Sequence, residues 1–403
     1  MPPLKRAIGV FMLATTLLPN VAAHAATYYV ATNGNNGNPG SSSLPWRTVA
    51  YAASKMVAGD TTYVKGGTYN EGVIYFGRSG TSSAPIKLLS VSGQFPIINF
   101  IDKSQYHRIL IKNGASYKKG IGWITIEGFE LRNGHEGIKI TNGHDLTIRR
   151  NWIHHNNMGV LGNGTRILID RNKINHNGNF TCSRCTTYHG IYMGGSAITV
   201  TNNLIYANQG LGITLNGTVG YSTSYPGPEF ALSLNWVIAN NTFAYQRNAP
   251  GIVLWGNNCD KARIENNIFY ENYVTGASHK ANGIVFSSAS GTTGVVIRNN
   301  LAFASGSGGV TFIVGSASNY TQSGNIVNTL NPKFVNAPAT LPSSPNFALA
   351  PGSPAIDKGL SLSTTRISYP GTTRPKLSAY DVGAYEYYGS TQLAAPTSLQ
   401  VAN

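Results

Sequence analysis

Gly followed by Ile or Val recurs at positions 137, 159, 190, 212, 251, 283 and 309. Two of those steps are 22 residues and the others are 31, 39, 32 and 26. A constant unit of 22 residues carrying insertions of 9, 17, 10 and 4 accounts for every step. A repeat that short cannot bury an apolar face alone, so its copies must stack and share one interior.

A second marker keeps phase with the first: Asn, then any residue, then an apolar one. It appears in Asn151-Trp152-Ile153, Asn172-Lys173-Ile174, Asn203-Leu204-Ile205, Asn241-Thr242-Phe243, Asn267-Ile268-Phe269 and Asn300-Leu301-Ala302. Each copy follows a stretch of period two such as Leu146-Thr147-Ile148 or Arg263-Ile264-Glu265, the pattern of a half-buried strand. A rung therefore reads strand, Asn turn, strand, Gly turn, strand. Stacked rungs make an all-β solenoid, a single-stranded parallel β-helix with three sheets around one core. Ile153, Ile174, Ile205, Phe243 and Phe269 are expected to stack inside, and Asn151, Asn172, Asn203, Asn241, Asn267 and Asn300 to form an amide ladder.

The insertions at about 178–188, 217–234 and 273–282 flank the same Gly-Ile strand and are expected to overhang one side, where binding on a rigid scaffold usually sits. Pro45-Trp46-Arg47-Thr48 leading into Val49–Met56 reads as a short helix capping the first coil. Lys5-Arg6, an apolar run from Ala7 to Leu18 and Ala23-His24-Ala25 have the order of a secretory signal over residues 1–25. The β-helix domain with its caps is expected over 26–388 and a linker over 389–403. The chain is expected to be secreted or periplasmic, without a membrane span.

With 11% charged and 41% hydrophobic residues the chain can fill a core, which excludes a disordered protein. Without Lys5 and Arg6, 28 basic residues remain against 15 acidic ones, a balance that favours a partner with fixed negative charge. Cys182, Cys185 and Cys259 leave one thiol over, and a disulfide stapling a loop is expected. Cys182-Ser183-Arg184-Cys185 has the spacing of half a zinc site, but no second pair completes it.

Three stretches carry a resemblance: Tyr28-Tyr29-Val30 through Gly66-Gly67-Thr68-Tyr69-Asn70, the Asn-x-Ile rungs, and Ala350-Pro351-Gly352-Ser353-Pro354-Ala355-Ile356-Asp357 with Asp381-Val382-Gly383-Ala384-Tyr385-Glu386-Tyr387. Together they resemble bacterial right-handed parallel β-helix proteins of the pectate-lyase-like superfamily. That superfamily includes lyases, hydrolases and uronate epimerases, so the resemblance implies a right-handed coil and an acidic extracellular polysaccharide as partner, without naming the activity. Nucleic acid is not expected as a partner, and the chain is expected to be a monomer. Calcium-dependent members present an aspartate cluster that this chain lacks, so no cofactor is assigned. The Asn-Thr-Asp, Asp-Asp and Gly-His-Gly motifs of polygalacturonase-like hydrolases are also missing.

Removing the proton next to a uronate carboxylate needs a cation to hold the developing charge, a base, and an acid for the leaving oxygen. His, Tyr, Lys and Arg suffice. His189, Tyr192 and Lys139 are the expected catalytic residues: Tyr192 points out between inward Ile191 and Met193, and Lys139 holds the same position two rungs earlier. Trp255, Arg184, Tyr188 and Lys280 are expected to bind substrate. His154, His155 and His176 fall at neighbouring turns but lack a carboxylate at fixed spacing for a metal. Two further readings stand beside the lyase: a glycoside hydrolase using the pair Glu136 and Asp170, and a non-catalytic glycan-binding solenoid.

Overall fold

The computed structural model describes residues 25–101, 106–114, 120–178, 188–218, 232–247, 250–272, 281–305, 311–315, 317 and 319–389. Parallel strands stack rung on rung into one sheet of 19 strands and one of 10, with a short antiparallel pair at the C-terminal end. Two sheets stand where the repeat predicts three. Two of the three faces are joined, because Glu136–Arg149 and Met158–Asp170 each run unbroken around a corner. That corner passes through Gly143 and Gly164, where a side chain would meet the backbone of the neighbouring rung or the core.

The 10-stranded sheet consists mainly of three-residue strands held between two corners. At the first corner one residue adopts a left-handed conformation, as in Arg150, Arg171, Asn202, Asn240, Asn266 and Asn299, with φ between 51° and 57°. A ladder Asn follows each of them. Each ladder amide donates to the next Oδ1 at 2.9–3.2 Å, from Asn151 through Asn300 to Asn325. The same Oδ1 atoms accept a backbone N–H, so the side chains replace the bonds that the turn removes.

A second ladder runs down the other corner, unforeseen from the sequence. Asn156, Asn177, Asn208, Gln246 and Asn272 each follow a left-handed residue, namely His155, His176, Ala207, Tyr245 and Glu271. Asn156 donates to Asn177, Asn177 to Asn208 and Asn208 to Gln246. Between the ladders the expected inner file forms: Ile153, Ile174, Ile205, Phe243 and Phe269 pair in register and are fully buried. The Phe243 and Phe269 rings stack at 5.1 Å and 8°.

The N-terminal end is closed by the helix Val49–Lys55, which starts where Thr48 Oγ1 accepts from Tyr51 N. Glu71 Oε1 takes the Val49 N–H at 2.7 Å, and Val49, Ala52 and Ala53 pack onto the first coil. At the other end the tail returns along the outward face of the 10-stranded sheet. Phe347, Leu349, Tyr369, Val382 and Tyr385 cover Leu204, Tyr206, Ala244, Ile268 and Leu301. Asn240 and Asn266, both left-handed corner residues, donate to tail carbonyls of Asp381 and Leu360. Arg374 and Glu386 form a fully buried pair at 2.6 Å inside that tail. Among the described residues no helix is long and apolar enough to cross a membrane.

Candidate active site

The Gly-Ile strands bury every second side chain: Ile138 and Ile140, Ile191 and Met193, Ile213 and Leu215 lie inside. The alternate positions face out in one file. Lys139 pairs with Leu110 and Leu161, Leu161 with Tyr192, Tyr192 with Thr214 and Thr214 with Val253. Lys139 and Tyr192 are thus two rungs apart, about 10 Å at ~4.8 Å per rung. Trp255 stands two residues beyond Val253, pairs with Asn216 and Ser287, and is 44% exposed.

His189 is 8% exposed, and its Nδ1 accepts from Leu211 N at 3.1 Å, which ties the ring to the turn. Burial pulls its pKa down to about 4, so it is neutral at physiological pH. Its ring lies 5.3 Å from that of Tyr192. Tyr188 is half-buried beside it and its carbonyl accepts from Gly210 N. Arg184, Lys280, Cys182 and Cys185 lie outside the described residues, as do most of the three insertions. Cys259 is buried and free, its Sγ is 3.5 Å from Leu215 O, and burial pushes its pKa up to about 12.

Around Lys139 the structure gathers residues that the repeat does not mark. Glu136, 3% exposed, is held by the Arg108 guanidinium, and His135 Nδ1 lies 3.1 Å from the same oxygen without hydrogen-bond alignment. Tyr106 packs its ring 4.6 Å from His135, and the Arg108 guanidinium lies 4.8 Å from its centroid. Burial holds the Lys139 ammonium below the usual lysine range; Glu136 opposes that shift and Arg108 reinforces it. Arg108 Nε and His107 Nδ1 are buried with no hydrogen-bond partner among the described residues.

The hydrolase pair is not assembled. Glu136 opens its strand just past the corner of His155, whereas Asp170 pairs with Arg149 at the corner of Arg150, so the strand Trp152–His154 and both corners separate the two carboxylates. A glycosidase pair needs about 5–9.5 Å. Asp170 is instead occupied by Arg171, Thr201 and Asn202. Glu127, two rungs below Asp170 in the same file, is bound to Arg149. Among the described residues no three His, Cys, Asp or Glu side chains are grouped to hold a metal ion. The His155 and His176 rings stack at 5.6 Å, while His154 Nε2 contacts Glu130 and its Nδ1 contacts His155.

Stacked parallel rungs with Asn ladders, a capping helix and a returning tail define a right-handed parallel β-helix. The chain is a pectate-lyase-like right-handed β-helix protein. Residues 28–189 match the family model "Pel9A-like, right handed beta helix region", and residues 188–327 match "Right handed beta helix region". The uncharacterized protein YwoF of Bacillus subtilis (strain 168) is 30% identical over 105 residues, 26% of this chain and 22% of that protein. Pectate lyase PEL9 of Emericella nidulans is 35% identical over 79 residues, 19% of each. The matches thus span about a fifth of these two curated relatives. A solved rhamnogalacturonan lyase superposes with a TM-score of 0.51 at 14% identity, over 81% of this chain and 96% of that one, a likeness of fold.

Proposed function

We propose that the chain is a secreted carbohydrate-active enzyme that cleaves an acidic polysaccharide by β-elimination on the outward Gly-Ile face. The observation that carries this reading is Lys139, an amine held below its usual pKa in the same cluster as the half-buried Arg108, whose guanidinium pairs with Glu136. Arg108 receives the uronate carboxylate, and Lys139 in its neutral form takes the proton from the adjacent carbon. The released electron pair forms a carbon–carbon double bond as the bond to the glycosidic oxygen breaks, and that oxygen takes a proton from the Tyr192 hydroxyl. His189 holds Tyr192 in place, Trp255 stacks on a sugar ring and Tyr188 binds substrate beside it; Arg184 and Lys280, outside the described residues, are proposed as further substrate-binding residues.

The excess of basic residues supports an anionic polymer, and the name of the Emericella relative makes pectate the first to try. The mature chain, acting as a monomer, is to be incubated with pectate, alginate, and sulfated and neutral glycans. Products that absorb in the ultraviolet are expected from an acidic polymer. New reducing ends without absorbance would move the assignment to hydrolysis, and inertness on every polymer would leave a binding module.

A further inference from the structure

A different face of the solenoid carries a second concavity. Where the tail crosses the last rungs of the 10-stranded sheet, the two enclose an open pocket of ≈ 440 Å³. The rungs contribute Tyr270, Glu271 and Phe303, and the tail contributes Asn331, Lys333, Phe334 and Val335. The walls are fixed in advance. Tyr270 OH donates to Ala337 O at 2.7 Å, Tyr245 OH donates to Pro338 O, and the tail strand bearing Phe334 pairs with Asn346–Leu349. Phe303 lies parallel to Tyr270 at 6.2 Å, and Phe334 meets the same ring edge-on at 5.3 Å.

The lining is divided by chemistry. Phe303, Phe334 and Val335 present carbon, while Glu271, Asn331 and Lys333 present a carboxyl, an amide and an ammonium. The one negative and one positive group cancel, so the pocket does not select an ion as the Lys139 face does. A pyranose has the same division, an apolar C–H face and an edge of hydroxyls that donate and accept, and a volume in this range suits small ligands. Glu271 is anchored by Ser305 N, which donates to its Oε1 at 2.9 Å.

We propose that this pocket is an accessory binding site for a neutral glycosyl unit, distinct from the face that binds the acidic backbone. It holds the uncharged stretches or branches of a heteropolysaccharide while cleavage proceeds elsewhere. The site does not depend on the elimination chemistry, so each reading can fail alone.

Saturation-transfer NMR and calorimetry on the whole protein with galactotetraose, xylotetraose and cellotetraose test this. At least one is expected to bind, with affinity falling about tenfold or more in Glu271→Gln and in Val335→Asp. Val335 is 54% exposed, so its substitution puts a charge on the apolar wall without touching the core. Lys139→Ala should bind the same sugar unchanged. The proposal is overturned if none of the three sugars binds, if binding survives both pocket variants, or if it disappears in Lys139→Ala.

Discussion

Lys139 and Tyr192 stand in one outward file of the Gly-Ile face with Leu161 between them. A base and an acid held two rungs apart can flank one glycosidic linkage laid along the solenoid. If Lys139 is the base, Lys139→Ala lowers the elimination rate by about 10²–10⁴-fold. Lys139→Arg does not recover it, because a guanidinium stays protonated. Initial rates of absorbance increase measure this, with unchanged thermal melting as the control. A rate within a few-fold of wild type in both variants would place the base elsewhere.

Glu136 tunes that amine. Its carboxylate favours the ammonium form, so it raises the Lys139 pKa against the lowering effects of burial and Arg108. Glu136→Gln removes the upward pull, and Lys139 then loses its proton at lower pH. The rising limb of the kcat/KM pH profile should move to more acidic pH in this variant. A purely structural role would lower the rate without moving the limb.

Acid should loosen the fold through buried imidazoles. Burial holds His189 at about 4 in the folded chain, and burial chiefly does the same for His176, against ~6.5 when unfolded. Between those values the unfolded chain binds protons that the folded chain refuses. The stability from each ring is therefore complete above pH ~6.5 and is lost as the pH falls towards 4. For His189 the loss is about 3 kcal/mol. Denaturant titrations at pH 7.5 and 4.5 should show a smaller difference in His189→Gln than in wild type; equal differences would remove His189 from the account.

Asn241 illustrates why the ladders matter. It is fully buried, its amide donates to Val200 O and Asn267 Oδ1, and its Oδ1 accepts from Asn203 N. Asn241→Leu orphans all of these groups and should cost about 3–5 kcal/mol, at ~1–3 kcal/mol for each unsatisfied group. Asn70→Ala, which removes the exposed bond to Asn99, should cost less than ~0.5 kcal/mol. Equal losses in urea unfolding would contradict the ladder account.

The inner file and the first ladder were legible because Asn151, Asn172, Asn203, Asn241, Asn267 and Asn300 recur in phase with Gly-Ile, and period two assigns each neighbour a side. The same alternation turned Lys139 and Tyr192 outward. The second ladder was equally present, always five residues after the first, but Gln246 stands where Asn is expected and the count follows Gly instead. Arg108, His135 and Tyr106 could not be placed beside Lys139 from sequence. The rung of Ile109–Ile111 carries neither marker, so its register with Lys139 follows only from the backbone pairing. The merging of two faces into one sheet depends on backbone continuing through Gly143 and Gly164, a conformation that composition does not encode.

The central claim, elimination without addition of water, is tested most directly by the mass of the fragments released from pectate or alginate. Elimination places a double bond in each new non-reducing end, so those fragments should be one water lighter than the saturated oligomers, and Lys139→Ala should release almost none. Saturated fragments of full mass from the wild-type protein would contradict the account and assign the chain to hydrolysis.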